Sequence, residues 1–244
     1  MRPVLLCVCC WVAAWYAAAD PVATLSPNAP AGLDLITVED GKWEVRTAAD
    51  REAIGGLPGA LYLYLKVGDP AKAALGSDFY LLVDFLDSGL GPVKIEYNAP
   101  DNDYAHGESF LLLNSGDWSR ALLHVSEAQL QGRQNGGADF RLACNGPITV
   151  SRVALYKTPP DESVPPQKDR IEAARNRWAG SRPKDMCYTF GNDAEEDTAP
   201  LYRALGVTSI ESYVTWETVE GKAKGDWDGS RWDKQVQVLQ DNGL

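Results

Sequence analysis

From Gly32 to Lys157 the apolar residues come in short runs with almost no helical spacing, and this pattern limits the fold more than any other feature. Residues 60–67 (ALYLYLKV), 78–87 (DFYLLVDFLD), 92–99 (PVKIEYNA), 109–114 (SFLLLN), 119–125 (SRALLHV), 138–144 (ADFRLAC) and 148–157 (ITVSRVALYK) are rich in β-branched, aromatic and aliphatic side chains. Turn-forming clusters such as GDP, DSGLGP, NSGD, QNGGAD and CNGP separate them. About eight strands at such spacing predict an antiparallel β-sandwich of jelly-roll type over residues 30–157. The one helix-like piece in this stretch, residues 126–132 (SEAQLQG), is expected to be a connecting turn.

The period changes further along the chain. Residues 157–169 (KTPPDESVPPQKD) hold four prolines, which forbid regular ladders and favour extended backbone. Together with a short helix over residues 170–180, they predict a linker over residues 158–185. From Met186 onward the pattern is strand (MCYTF), helix (AEEDTAPLYRALG, stopped by Gly206), strand (VTSIESYVT) and helix (SRWDKQVQVLQDNG). In the last helix Trp232, Val236 and Leu239, with Val238 adjacent, set the apolar spacing; Ser230 is the expected N-cap and Gly243 the stop. Such βαβα alternation implies a parallel sheet. A parallel sheet buries both faces and does not close with two strands. Residues 186–244 are therefore expected to be the first units of an incomplete (β/α)8 barrel that continues past Leu244.

The N-terminus reads as a secretory signal over residues 1–19. A short basic start (MRP) is followed by thirteen apolar residues, Val4 to Tyr16, and by three alanines before Asp20. The competing reading is a membrane anchor, but a span needs about 20 apolar residues. The expected location is secreted or periplasmic, with no membrane association once the signal is removed. Cleavage leaves Cys144 and Cys187, so the mature chain is no disulfide scaffold; the two are either a pair or two separate buried thiols. With two histidines (His106 and His124) and no close Cys/His cluster, neither a zinc site nor a cofactor is expected. The alternative of calcium on Asp101 and Asp103 lacks the usual loop spacing. A net charge of −11 argues against a nucleic-acid partner.

In parallel α/β folds, ligands bind at the carboxyl ends of the strands. Here those ends are residues 191–197 (GNDAEED) and 216–228 (WETVEGKAKGDWD), dense in carboxylates and, in the second case, indoles. Carbohydrate sites use both: aromatic faces stack on sugar C–H faces, and carboxylates accept hydrogen bonds from hydroxyls. On this basis Tyr213, Trp216, Glu217, Glu220, Asn192 and Asp193 are candidate substrate-binding residues, with a carbohydrate as partner. The competing structural roles are a barrel-top plug for Trp216 and solvated loop charges for Glu217 and Glu220. Trp232 belongs to the packed helix face.

Residues 205–244 resemble the start of the (β/α)8 barrel in retaining glycoside hydrolases of the β-galactosidase type. The resemblance rests on Gly206, Trp216, Glu220, the Gly225-Asp226-Trp227-Asp228 run and Gly243-Leu244. The β-amylase barrel opens in much the same way. Lys222 to Lys224 depart from the tighter loop of many relatives. The resemblance implies a two-carboxylate mechanism, with the acid/base and the nucleophile about 5–5.5 Å apart on the fourth and seventh strands. Both would lie past Leu244, so no catalytic residue is assigned to this chain and the segment alone is expected to be inactive.

The sandwich, most clearly at residues 136–157, resembles a jelly-roll carbohydrate-binding module. Candidates for stacking are Trp43, Tyr97, Tyr104 and Trp118, with core packing as the competing role for Trp43 and Trp118. The expected function is thus the N-terminal part of an exported glycoside hydrolase. The alternatives are a non-catalytic carbohydrate-binding or surface-interaction protein, and a barrel that has lost its acid/base pair.

Overall fold

A computed structural model of the chain describes residues 19–180, 185–188, 196, 198–220 and 223–244. The signal-like segment up to residue 18 lies outside the described residues. Thirteen strands and five α-helices follow in order among those described.

The first eleven strands form two antiparallel sheets. They are β1 (Ala23–Leu25), β2 (Leu33–Ile36), β3 (Trp43–Ala48), β4 (Arg51–Gly56), β5 (Tyr62–Val67), β6 (Phe79–Leu86), β7 (Leu90–Ala99), β8 (Asn102–Leu113), β9 (Trp118–Val125), β10 (Phe140–Cys144) and β11 (Thr149–Tyr156). One sheet has the order β3-β4-β11-β6-β9, with β1 added on β11; the other has the order β2-β5-β10-β7-β8. From β9 to β11 successive strands alternate between the sheets, as in a jelly roll.

The period-two pattern explains the core. In β6, Phe79, Leu81, Val83 and Phe85 are fully buried and face the opposite sheet, where Leu63, Leu65 and Val67 of β5 and Phe140 and Leu142 of β10 meet them. Each such side chain contributes roughly 1.5–3 kcal/mol by leaving water. In β11 the register shifts between Val150 and Arg152, so Val150, Val153 and Leu155 all reach the core despite their uneven spacing.

Three boundaries differ from expectation. The sandwich starts at Ala23 rather than near residue 30, because β1 pairs with the far end of β11. Helix α1 (Asp69–Leu75) interrupts what reads as turn; Pro70 opens it, and Ala71 and Leu75, one helical turn apart, are its buried residues. The proline-rich segment is extended but docked. Val164 packs with Leu82, Ala154 and Tyr156 on the outer face of the β3–β9 sheet. Glu162 accepts hydrogen bonds from Arg152 and Tyr156 and pairs with Arg120 at 3.0 Å.

Helix α2 (Gln167–Trp178) then lies along the free edge of β8. Gln167 Oε1 accepts from the Leu111 N–H at 3.1 Å, Arg170 donates to the Leu111 carbonyl at 2.7 Å, and Arg177 donates to the Leu113 carbonyl at 2.7 Å. Side chains thereby satisfy backbone groups that would otherwise leave an open edge.

Beyond it, β12 (Cys187–Tyr188) and β13 (Ser209–Ile210) pair in parallel, joined through α3 (Ala199–Leu205). Gly206 ends α3 in the left-handed region (φ 87°), where a β-carbon would be strained. Of the predicted strand over residues 207–215, Ser209 and Ile210 form the ladder seen among the described residues, opposite Cys187 and Tyr188. Trp216 opens a short helix, α4 (Trp216–Val219), and does not end the strand. In α5 (Ser230–Asp241), Gly229 rather than Ser230 is the N-cap, and Asp228 accepts from the Ser230 N–H at 3.0 Å. Val236 is exposed, while Gln235 and Val238 are buried. The buried face therefore follows spacings of three from Trp232, not the Val236 position. Cys144 is buried and Cys187 exposed, and both are free thiols. No described helix is long and apolar enough to cross a membrane.

Candidate functional site

The outward face of the β2–β8 sheet carries a row of chemistry that no single segment shows. Register places Tyr64 of β5 opposite Arg141 of β10, Arg141 opposite Glu96 of β7, and Glu96 opposite His106 of β8. Four strands thus contribute one side chain each to a single rung. Arg141 donates from Nε to Glu96 Oε2 at 2.6 Å and from Nη1 to the Tyr64 hydroxyl at 2.8 Å. His106 Nε2 lies 3.5 Å from the other Glu96 oxygen.

Two further rings flank the rung. The Arg141 guanidinium carbon is 3.7 Å from the Tyr62 ring centroid and 4.3 Å from that of Tyr104. The Tyr104 hydroxyl donates to Asn135 Oδ1, and Asn135 Nδ2 donates to the Tyr64 hydroxyl, both at 3.2 Å. Tyr62, Tyr104 and Arg141 are half-buried, Tyr64 and Glu96 are buried, and His106 is exposed. The face is therefore a preset platform of two accessible rings around a fixed ion pair, with a histidine at its outer end.

The electrostatics follow from this packing. Burial works against the charge of Arg141, but its bonds to Glu96 and Tyr64 outweigh burial and raise its pKa. Burial raises the Tyr64 phenol, with the bond from Arg141 opposing. Arg141 is thus held cationic and Tyr64 neutral at physiological pH.

The loop after β9 braces one end. Gln134 Nε2 donates to the carbonyls of Glu96 (3.1 Å) and Asp103 (2.8 Å). Arg133 pairs with Asp103 at 2.8 Å. Asp103 is thereby committed to a guanidinium. Among the described residues no group of three or more His, Cys, Asp or Glu is placed to hold a metal ion.

Of the stacking candidates, Tyr104 alone belongs to this platform. Tyr97 is in the core. Trp43 packs against the core and donates its indole N–H to the Tyr62 carbonyl at 2.8 Å. Trp118 sits on the other sheet, beneath Arg51. Tyr62, Tyr64, Glu96 and Arg141 were not foreseen as site residues. The available signal was their strand parity: each falls on the positions opposite the apolar ones, where an aromatic or a charge facing outward costs nothing.

Of the candidates near the C-terminus, Trp216 and Glu220 are in contact. Trp216 donates its indole N–H to Glu220, which also accepts from the Gly225 N–H. The Trp216 and Trp227 rings meet edge to face at 4.6 Å. Trp216 and Trp227 remain 67% and 55% exposed, the most exposed tryptophans among the described residues. Tyr213 and Glu217 are exposed nearby in sequence. Asn192 and Asp193 lie outside the described residues.

No protein-family model matches the chain, and no curated protein matches it. Several solved structures are similar. A mutant of the module CBM29-2, studied for ligand recognition by family 29 carbohydrate-binding modules, is 16% identical over 62% of this chain and 99% of its own, with a TM-score of 0.37. The family 29 module CBM29_1 from Piromyces equi is 14% identical over 51% of this chain and 80% of its own, with a TM-score of 0.31. BiXyn10A CBM1, in its apo form, is 11% identical over 56% of this chain and 97% of its own, with a TM-score of 0.35. The likenesses are distant, and the case for what the platform does rests on its side chains.

Proposed function

We propose that the sandwich binds carbohydrate on the open face of its β2–β8 sheet. The observation that carries this reading is the Tyr64–Arg141–Glu96–His106 rung flanked by the Tyr62 and Tyr104 rings. A sugar offers apolar C–H faces and a fringe of hydroxyls. Half-exposed rings suit the first. Charged partners suit the second, since hydrogen bonds to charged groups are worth about 1.5–3 kcal/mol. Because Arg141 is already locked by Glu96 and Tyr64, little side-chain freedom is lost on binding. The test is calorimetric titration of the chain and its Arg141→Ala variant with a panel of soluble gluco-, manno-, xylo- and galacto-polysaccharides. Binding by the wild type and loss in the variant is expected. No binding to any member, or undiminished binding by the variant, would sink the reading.

A catalytic parent is the second reading, and the parallel β12–α3–β13 unit with the Trp216–Glu220–Trp227 cluster beyond it supports it. In this reading the protein is exported, the cluster is one wall of a glycoside hydrolase pocket, and the carboxylate pair comes from strands after Leu244. Sequence downstream of Leu244 tests it. Continued βα alternation, with an Asn-Glu ending a fourth strand and a Glu on a seventh, is expected; a stop codon there leaves the binding reading alone.

A further inference from the structure

A cleft of about 920 Å³ opens beside the platform, with β8 and β9 on one side and α5 on the other. His106 of the platform lines it, as does Lys94. Lys94 stands one outward position from Glu96 along β7, opposite Ser109 of β8, which is a third lining residue. The facing wall brings Arg231, Lys234 and Gln235 of α5. Lys234 is anchored to Glu196 at 3.1 Å, and Gln235 is buried within reach of Ser212. The volume lies in the range of cavities that enclose small ligands, about 300–1,000 Å³.

We infer that this cleft is the continuation of the platform, and that the ligand is a polysaccharide chain long enough to cross the β2–β8 sheet and enter between β8 and α5. The inference rests on the carbohydrate reading above. Three facts carry it further. The rung points at the cleft: from Tyr64 to His106 it crosses three strand spacings, about 14 Å, and its last member is a lining residue. The lining sets charged, amide and hydroxyl groups beside the apolar Leu122, Leu123 and Val238, a mixture that suits the hydroxyl fringe and the C–H faces of a sugar chain. The walls are also tied together. Gln167, Arg170 and Arg177 of α2 bond to the β8 backbone, while Leu111 and Leu113 of β8 pack with Ala174 and Ala204 of α2 and α3. α3 in turn packs on α5 through Ala199 and Val238, so packed helices link β8 to the second wall.

Chain length separates this inference from the reading beneath it. The full chain is titrated with oligosaccharides of whichever polysaccharide in the panel it binds, from disaccharide to octasaccharide, alongside the Arg231→Ala/Lys234→Ala double variant and Arg141→Ala. Both α5 positions are exposed, and the double variant leaves Val238 and Leu239, which pack α5, in place. Wild-type affinity should rise roughly tenfold between the shortest ligand bound and the longest, the gain expected from one or two added bonds to charged groups. The double variant should lose that increment and leave the short-ligand affinity unchanged. Affinity that is flat with length, or a double variant equal to wild type on the octasaccharide, overturns the inference while Arg141→Ala still abolishes binding. Binding untouched by Arg141→Ala, or no binding at all, overturns the carbohydrate reading and this inference with it.

Discussion

Arg170 Nη2 lies 3.2 Å from Asp87 Oδ2, and the two side chains are 11% and 3% exposed. The pair joins the helix after the sandwich to the turn between β6 and β7. Asp87 also accepts from the Leu113 N–H at 2.5 Å and from the Ser115 hydroxyl at 2.9 Å. Burial pulls the Arg170 pKa below its ordinary value, with Asp87 opposing the fall. The pair is a buried clamp whose loss strands a carboxylate.

Arg170→Met should therefore lower stability by about 3–5 kcal/mol, the usual cost of leaving one buried charge without its partner. Urea unfolding measures it. Lys234→Ala, which removes an exposed ion pair, should stay within about 0.5 kcal/mol. Equal effects for the two variants would contradict the clamp.

Glu162 and Tyr156 tie the proline-rich segment to the sheet through opposite limbs of the pH profile. Burial, reinforced by the bond to Glu162, pushes the Tyr156 phenol up to about 12. The folded state keeps it neutral while the unfolded chain ionises near 10. Its contribution is complete below pH 10 and is lost as pH rises toward 12. Hydrogen bonding from Arg152, with smaller help from Tyr156 and Arg120, holds the Glu162 carboxyl below its ordinary 4.5. That contribution is present above 4.5 and is lost as pH falls through the lower folded value. Tyr156→Phe should flatten the alkaline limb and Glu162→Gln the acid limb, read as unfolding midpoints against pH. Limbs that match wild type would show that the segment is not held this way.

The strands legible in the sequence were those with strict alternation. β7 is the clearest, its buried Val93, Ile95 and Tyr97 alternating with the outward Lys94 and Glu96. The β3–β4 hairpin was hidden because its turn, Ala49-Asp50, takes positive φ (42° and 65°) without the Asn-Gly or Gly that announces such turns. The Trp216–Glu220 contact could be anticipated because it is local, one helical turn apart. The Tyr64–Arg141–Glu96–His106 rung could not, since its members are brought together by strand register and lie up to 77 residues apart. Register is a property of pairing, and no one strand's composition encodes it.

Arg141→Lys tests whether the platform needs a planar fork or a charge. Lysine keeps the charge but cannot bond Glu96 and Tyr64 together while lying between the Tyr62 and Tyr104 rings. Ligand affinity should fall by roughly tenfold or more, one strong hydrogen bond's worth. Arg141→Lys titrating like wild type would mean that only charge matters there.

Gly136 offers a test of the platform from outside it. It sits in the 3-10 turn Asn135–Gly137 at φ 68°, and a β-carbon there would lie 2.5 Å from Ile36 Cγ2 and 2.9 Å from Val38 Cγ1. Gly137 shares the positive φ, at 78°, but a β-carbon on it would meet nothing within 4 Å. Both alanine variants carry the left-handed backbone cost, about 1–2 kcal/mol. Only Gly136→Ala adds the clash, which must be relieved by moving the turn or β2. Asn135 is the preceding residue, and its amide links the Tyr64 and Tyr104 hydroxyls. Gly136→Ala should therefore melt below Gly137→Ala and bind carbohydrate several-fold more weakly, while Gly137→Ala keeps nearly wild-type affinity once folded. If the two variants bind alike, Asn135 does not hold the rings, and the platform's order comes from Arg141 alone.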